Sequence, residues 1–188
     1  MENNLKLNFI NLARKNIHRE GLDSLLNYLE NTDFYTAPAS THYHGAYEGG
    51  LLEHSINVFK ALSESKYVSD YSMESIAIVS LFHDICKTGL YKIEMRNVKN
   101  ENGQWVKKPF YKVDEDYPYG HGEKSVYLIM KYMKLTDEEA LAIRWHMGGF
   151  DDTVKGGSYS LGKAFSQSLL ALELHLADMR ATYILENK

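Results

Sequence analysis

The sequence contains few residues that cross-link a chain or interrupt its helices. It has one cysteine, Cys86, which excludes an internal disulfide and is typical of a reducing compartment. Only three prolines occur, at positions 38, 109 and 118, so helices can run through long stretches of the chain. No apolar run approaches the roughly 20 residues that span a bilayer, and the first residues lack the pattern of a secretory signal. We therefore expect a cytoplasmic protein without a membrane segment.

The composition is that of an ordinary globular protein. Of the 188 residues, 44% are hydrophobic, 24% charged and 12% aromatic, which argues against a disordered, collagen-like or coiled-coil chain. This length suits a single domain, 1–188, that buries a core without disulfides. The formal net charge of −4 argues against a broad nucleic-acid surface, whereas the eight histidines require an explanation.

Apolar residues recur at helical spacing along most of the chain, which predicts a mostly α-helical fold. Helices are expected over residues 5–17, 22–29, 49–65, 72–85, 121–133 and 161–185. A further short helix should begin at a capping box of Thr136 and Glu139 and end near Gly148. Residues 1–40 are interpreted as an N-terminal helical extension.

The last predicted helix, 161–185, is apolar on nearly all sides, which is typical of a buried central helix. Its main apolar stripe is Leu161, Phe165, Leu169, Leu172, Leu176, Met179 and Tyr183. The stretch before it, 151–159, is glycine-rich and is expected to form a loop.

Residues 91–113 have a different pattern. Apolar and charged residues alternate on either side of the sequence Asn100-Glu101-Asn102-Gly103, which predicts a β-hairpin. An acidic, aromatic loop follows. We interpret 91–119 as an insertion beside the functional site.

Several histidines and acids lie on faces that should point inward. His54 shares a helix face with apolar residues, His83 and Asp84 end an apolar helix, and Asp178 lies within the last helix. A buried carboxylate without a partner is costly, so two of them beside inward histidines indicate a compensating cation. Neutral imidazole and carboxylate together suit divalent ions such as Mn, Fe and Zn.

Each of these residues has a simpler explanation when it is taken alone. A single histidine on an apolar face usually bonds a backbone carbonyl in the core. Asp178 can pair with Arg144 or Arg180 in an ordinary salt bridge. His121 can be an exposed capping residue, and His146 can end its helix by interacting with the helix dipole.

The joint pattern accommodates two metal ions. One site would have four ligands from three helices: His54, His83, Asp84 and Asp178. Asp84 can also bridge to a second ion held by His121 and His146. Two metals about 3.5–4 Å apart are a common arrangement for phosphate-ester hydrolysis.

The order of these residues resembles the HD superfamily of metal-dependent phosphohydrolases, over residues 44–180. The segment 44–54, HGAYEGGLLEH, is similar to the opening of the HD domain in bacterial 3′→5′ exoribonucleases. His83-Asp84-Ile85-Cys86-Lys87 is similar to the second motif of the family, His-Asp-x-x-Lys. The segment 176–180, LADMR, resembles its last motif.

The resemblance implies an HD-domain helical bundle and divalent metal ions, two per chain, drawn from Mn, Fe, Mg, Zn or Ni. The first ion would be held by His54, His83, Asp84 and Asp178. The pair His121 and His146 is similar to that of the members with two metals. Lys87 matches the phosphate-facing lysine of the family, although it can also be a solvated surface residue. Further candidates for phosphate contacts are Lys124, Arg144 and Arg180, each of which can instead form a structural ion pair.

The activity implied by the resemblance is hydrolysis of a phosphate ester or anhydride of a nucleotide or related small molecule by metal-activated water. Asp84 and Lys87 would be the catalytic residues. The alternatives are a nucleotide-sensing HD module without turnover and a nuclease acting on short RNA or DNA. The exoribonucleases carry a nucleic-acid-binding domain before the HD domain, whereas residues 1–40 here are predicted to be helical. Nucleic acid is therefore not the favoured partner, and the pattern leaves homo-oligomerisation open.

Overall fold

The computed structural model describes residues 2–43 and 45–186, in which nine α-helices and one two-stranded sheet form a mostly helical protein. The helices are α1 (Glu2–Asn16), α2 (Leu22–Glu30), α3 (Gly50–Ser63), α4 (Met73–Phe82), α5 (His121–Met130), α6 (Asp137–Trp145), α7 (Asp152–Lys155), α8 (Ser160–Gln167) and α9 (Leu169–Arg180). The strands are β1 (Tyr91–Lys99) and β2 (Trp105–Val113). His44, with which the first recognised motif begins, lies outside the described residues.

The core lies between helices α3, α4, α6 and α9, and α1 packs against α3 and α4. Each of the four central helices contributes a fully buried side chain, namely Leu51, Ile78, Ile143 and Leu174. Phe9 of α1 is equally buried. The predicted N-terminal extension therefore forms helices as expected and contributes directly to the core.

The capping box at the start of α6 is confirmed. The Thr136 hydroxyl accepts a hydrogen bond from the Glu139 backbone N–H, and the Glu139 carboxylate accepts one from the Thr136 N–H. Glu139 is buried and also forms an ion pair with Arg19. Arg19 Nη1 lies 2.5 Å from Glu139 Oε2. The guanidinium compensates the buried carboxylate, which fixes α6 against the segment that follows α1.

Helix α4 ends three residues before the predicted limit of 85. After Phe82 the chain passes through His83 and Asp84 and makes a single 3₁₀ turn, Ile85–Lys87. Helix α6 likewise ends at Trp145, directly before His146. Two candidate ligand segments thus lie at helix ends, where backbone carbonyls remain available to accept hydrogen bonds.

The predicted helix 161–185 is wrong as a single element. Ser168 has extended backbone angles (φ −134°, ψ 112°) and divides it, and its hydroxyl caps α9 by accepting the N–H of Ala171. Serine favours this position because its hydroxyl competes with helical backbone hydrogen bonds. A π-helical turn, Ala181–Leu185, then extends α9 towards Glu186.

The break also changes which face of the last segment is buried. Leu169 and Tyr183, two members of the predicted stripe, are 42% and 57% exposed. From Leu169 onward the buried positions are instead Leu170, Ala171, Glu173, Leu174, Ala177 and Ala181. The expected loop 151–159 also contains a single helical turn, α7, which Asp151 caps by accepting the N–H of Thr153.

The β-hairpin is confirmed with the predicted bounds. Its antiparallel register runs from Tyr91 opposite Val113 to Lys99 opposite Trp105. The turn is stabilised by the Asn100 side chain, which accepts hydrogen bonds from the N–H groups of Asn102 and Gln104. Most side chains on both faces of this ribbon are exposed.

Within residues 2–43 and 45–186, no helix is both long and apolar enough to cross a membrane.

A pair of leucine substitutions tests the assignment of the buried face of α9. Leu174→Ala should lower the free energy of unfolding by about 2–5 kcal/mol, because it removes a fully buried side chain. Leu169→Ala removes the same atoms from an exposed site and should change the free energy of unfolding by roughly 0.5 kcal/mol or less. Urea unfolding measures both values, and similar losses in the two variants would contradict the assignment.

Candidate metal centre

The buried carboxylate of Asp84 lies at the centre of the candidate site. Its Oδ2 is 2.7 Å from Lys87 Nζ, and its Oδ1 is 2.6 Å from His121 Nε2. Three further imidazole nitrogens lie within 4 Å of its oxygens: His54 Nε2 at 3.8 Å, His83 Nε2 at 3.5 Å and His146 Nε2 at 3.4 Å. The structure thus brings four predicted histidine ligands to one carboxylate.

Different elements supply these side chains. His54 lies on α3 and Asp178 on α9, whereas His121 is the first residue of α5. His83 and His146 are the residues directly after α4 and α6. The arrangement therefore depends on the packing of the whole helical core, since no single segment contributes more than two of the predicted ligands.

Hydrogen bonds fix the orientation of two of the rings. His83 Nδ1–H donates to the Ser80 carbonyl at 2.8 Å, and His146 Nδ1–H donates to the Ile143 carbonyl at 2.6 Å. Because a carbonyl can only accept, the Nε2 atom of each neutral ring carries the lone pair. A second hydrogen bond of this type is the usual support of a metal-binding histidine.

The two Nε2 atoms that remain are buried and have no hydrogen-bond partner among the described residues. Both His83 and His146 are fully buried, so bulk water does not reach these nitrogens. An unsatisfied buried polar atom is rare in a folded protein because it loses its hydration without replacement. Two such lone pairs near one carboxylate fit a divalent cation.

His54 and Asp178 form a second contact of the cluster. His54 Nε2 lies 3.2 Å from Asp178 Oδ1, and its Nδ1 lies 3.1 Å from Glu186 Oε1. Glu186 also accepts a hydrogen bond from Asn57, one turn after His54 on α3. Sequence reasoning missed Glu186, whose only available signal was its position two turns after Asp178.

Two of the site's histidines, His54 and His121, have raised pKa values. Burial lowers the pKa of His54, but hydrogen bonds with Asp178 and Glu186 outweigh this effect and raise the pKa to about 9. Burial likewise lowers the pKa of His121, yet the Cys86 sulfur and Asp84 raise it to about 10. In the absence of a metal, the positive charges of these two protonated rings therefore balance the neighbouring carboxylates of the site.

The pKa of His83 is lowered to about 3, chiefly by burial, so this ring stays neutral and its Nε2 lone pair is available. Burial alone would raise the pKa of Asp84, but Lys87 and the surrounding imidazoles hold it well below its usual value. For Asp178, His54 above all, together with His83 and His146, overcomes the effect of burial and lowers the pKa. A neutral imidazole beside two ionised carboxylates is a donor set for a divalent ion.

Three overlapping groups of donor atoms can hold an ion, and within each group the atoms lie within 4.8 Å of one another. They are His54 with His83 and Asp84, His83 with His146 and Asp178, and Asp84 with Cys86 and His121. All six predicted ligands belong to at least one group. Cys86 is an addition that the spacing of the histidines did not indicate, and its sulfur lies 3.4 Å from His121 Nδ1.

Of the predicted substrate contacts, the structure brings Lys87 to the centre. Its ammonium group bonds Asp84 and donates to the Ala39 carbonyl at 2.7 Å. Asp84 overcomes the effect of burial and raises the pKa of Lys87, which keeps it charged. Lys87 is therefore placed as a positive charge beside the candidate ligands and is largely shielded from solvent.

The other basic candidates form ion pairs. Lys124 lies 2.7 Å from Glu115, and Arg180 lies 3.6 Å from Glu173. Arg144 pairs with Glu123 and Asp151 at 2.5 and 2.9 Å. Neither arginine supplies the salt bridge considered for Asp178, whose ion-pair partner is His54. A role for these three residues in phosphate binding stays a prediction.

Comparison with known proteins identifies no relative. No family profile matches the chain, and no curated protein or solved structure is significantly similar to it. The activity must therefore be inferred from the chain's own residues.

Metal binding by the purified protein tests the fit of the donor set. Mn²⁺ or Zn²⁺ added to EDTA-treated protein should raise the free energy of unfolding, by about 2.7 kcal/mol at a free concentration of about a hundred times the dissociation constant. His83→Gln should lose most of this gain, because it removes one of the unpaired ring nitrogens. His18→Gln changes an exposed histidine and should retain the metal-dependent gain in the free energy of unfolding.

Unfolding titrations with and without the ion measure both variants. An equal gain for the wild type and His83→Gln would contradict the assignment of His83 as a ligand.

Proposed function

We propose that this protein is a metal-dependent phosphohydrolase of the HD superfamily, which cleaves a phosphate ester or anhydride of a nucleotide or related small molecule. The observation that carries the proposal is the pair of buried, unpaired Nε2 atoms of His83 and His146 beside the carboxylate of Asp84. The order of the motifs along the chain supports the same family.

The ligands divide into two sets that share Asp84. The first ion would be held by His54, His83, Asp84 and Asp178. The second would be held by His121 and His146 together with Asp84. Supporting this division, His121 and His146 lie 2.6 and 3.4 Å from Oδ1 of Asp84, whereas His54 and His83 lie 3.8 and 3.5 Å from Oδ2. The two carboxylate oxygens thus face different pairs of histidines.

The donor types favour particular metals. Imidazole nitrogens suit Mn, Fe, Zn and Ni, whereas Mg prefers oxygen ligands and retained water. Four histidines and two carboxylates therefore favour a transition metal. Bound divalent ions supply Lewis acidity, which lowers the pKa of water and stabilises charge on phosphoryl oxygens.

The chain's own residues would position and stabilise the substrate. Lys87, held by the Ala39 carbonyl, presents a fixed positive charge that can offset negative charge developing on the phosphoryl group. Asp84 orients the Lys87 ammonium and the His121 ring. Because His54, His83 and Asp84 are buried, bulk water is excluded from this part of the site, which strengthens its electrostatic interactions.

We propose that the base of a nucleotide enters a tyrosine-rich cavity whose lining includes neither Lys87 nor the six candidate ligands. It has a volume of about 520 Å³ and is lined in part by Thr88, which follows Lys87 directly, and by Lys124. Tyr119 and Tyr127 are among its lining residues and stack on each other with ring centroids 5.2 Å apart. Aromatic side chains of this kind can accept a nucleobase by stacking.

Hydrolysis of a nucleotide panel tests the reaction class. With Mn²⁺, Fe²⁺, Mg²⁺ or Zn²⁺ added in turn, we expect release of phosphate or a nucleoside product, and Asp84→Ala should reduce turnover at least about a hundredfold. Asp152→Ala, which changes an aspartate with a 99% exposed side chain, should leave turnover unchanged. Undiminished turnover in Asp84→Ala would refute the assignment, and tight nucleotide binding without product would favour the sensing module.

Elemental analysis of metal-loaded protein tests the second ion. The wild type should contain about two ions per chain and His146→Ala about one, because the substitution removes a ligand specific to the second set. The same number of ions in both proteins would count against His121 and His146 as ligands.

A further inference from the structure

The β-ribbon, residues 91–113, is strongly basic in an otherwise acidic protein. It holds six of the 21 basic residues of the chain but only two of the 25 acidic ones, Glu94 and Glu101. Its net charge is therefore +4, and the rest of the chain carries −8. The total of −4 conceals this separation.

The strand register places like charges opposite each other on one face of the ribbon. Lys92 is paired with Lys112, and Arg96 with Lys108. Like charges directly across an antiparallel pair are destabilising. Such an arrangement is relieved when an anion lies across the strands.

In each of these two cross-strand pairs, only the basic residue on β1 forms an ion pair with an acidic side chain. Lys92 forms an ion pair with Asp114, and Arg96 forms one with Glu94. Lys108 and Lys112 on β2 have no ion-pair partner in the described part of the chain. Their charges therefore remain available to an external anion.

Aromatic side chains alternate with these lysines. Phe110 lies between Lys108 and Lys112 on the same face of β2, since alternate residues of a strand share a face. On the opposite face, Trp105 is 67% exposed and has Lys99 Nζ 5.4 Å from its ring. Alternating cations and aromatic rings are the pattern with which proteins bind single-stranded nucleic acid, because phosphates pair with the cations and unpaired bases stack on the rings.

Charged residues on an exposed ribbon also prevent unwanted strand pairing. That role is served by charge of either sign, whereas this ribbon is selectively basic in a chain with an acidic excess. Repulsion between its lysines likewise disfavours a second copy of the ribbon as the occupant.

The end of the ribbon at which β1 begins lies next to the candidate metal centre. Tyr91, the first residue of β1, donates its hydroxyl hydrogen to the Ala39 carbonyl at 3.2 Å. The same carbonyl accepts from Lys87, which pairs with Asp84. A strand bound along the ribbon would therefore have one end close to this centre.

From these observations we infer that the ribbon is a binding surface for single-stranded nucleic acid. Lys108 and Lys112 contact the phosphates, and Phe110, which lies between them on the same face, stacks on a base. The inference does not depend on the proposed hydrolysis, because binding to the ribbon requires no metal.

Fluorescence anisotropy of a short labelled oligothymidylate, measured in EDTA so that no turnover occurs, tests the inference. The wild type should bind it, with an affinity that falls as salt increases. The double variant Lys108→Glu/Lys112→Glu should bind at least about tenfold more weakly and reduce the slope of log affinity against log salt by about 1.4, the value for two phosphate contacts. Phe110→Ala should weaken binding at least about fivefold through the loss of stacking.

The matched control is Lys15→Glu/Lys60→Glu, which makes the same change in net charge at two exposed lysines on α1 and α3. It should bind like the wild type, and all variants should keep the wild-type thermal unfolding. Equal weakening in the control, unchanged binding by the ribbon variants or no binding by the wild type would overturn the inference. Competition by duplex DNA or polyglutamate as effective as that of unlabelled oligothymidylate would overturn it as well.

Discussion

The burial of one ionised carboxylate, that of Asp84, is the constraint on which the rest of the site depends. A carboxylate moved out of water requires nearby positive charge and hydrogen bonds, and the chain supplies Lys87 and a ring of imidazoles. In the absence of a metal, protons on His54 and His121 contribute part of that charge, which is consistent with the raised pKa values of both rings. Cation binding and protonation are therefore alternative ways of balancing the same acids.

The fold meets this constraint at the ends of its helices. His83 and His146 follow directly after α4 and α6, and each ring donates to a carbonyl three residues earlier, at a helix end where such groups are free. The helix end thus fixes both the position of the ring and the nitrogen that carries its lone pair. The apolar core around α3, α4, α6 and α9 provides the rigidity that holds these ends together.

Much of this arrangement could be predicted from periodicity and residue type. Helical spacing and the hairpin pattern depend on local chemistry, which explains why the ribbon 91–113 and the capping box of Thr136 and Glu139 were located correctly. The convergence of His54, His83, Asp84 and Asp178 followed from a simple energetic argument, since buried acids and inward histidines need one another, whereas His121 and His146 were added as holders of a second ion. Their role as metal ligands is a proposal that rests on that convergence.

The remaining features depend on tertiary structure and were not predictable in the same way. Periodicity continues through Ser168, so the helix break appears only once its hydroxyl is seen to cap α9. Glu186 reaches His54 because a π-helical turn follows α9, and the acids that engage Lys124, Arg144 and Arg180 are set by packing. The two unpaired ring nitrogens likewise became visible only in three dimensions.

Anomalous diffraction from crystals soaked in Mn²⁺ or Zn²⁺ is the sharpest test of metal binding at Asp84, because it locates the ion without reference to activity. We expect an anomalous peak between the rings, within about 2.0–2.3 Å of His83 Nε2 and an oxygen of Asp84. An ion bound only elsewhere on the protein, or no peak at these atoms in metal-saturated crystals, would contradict it.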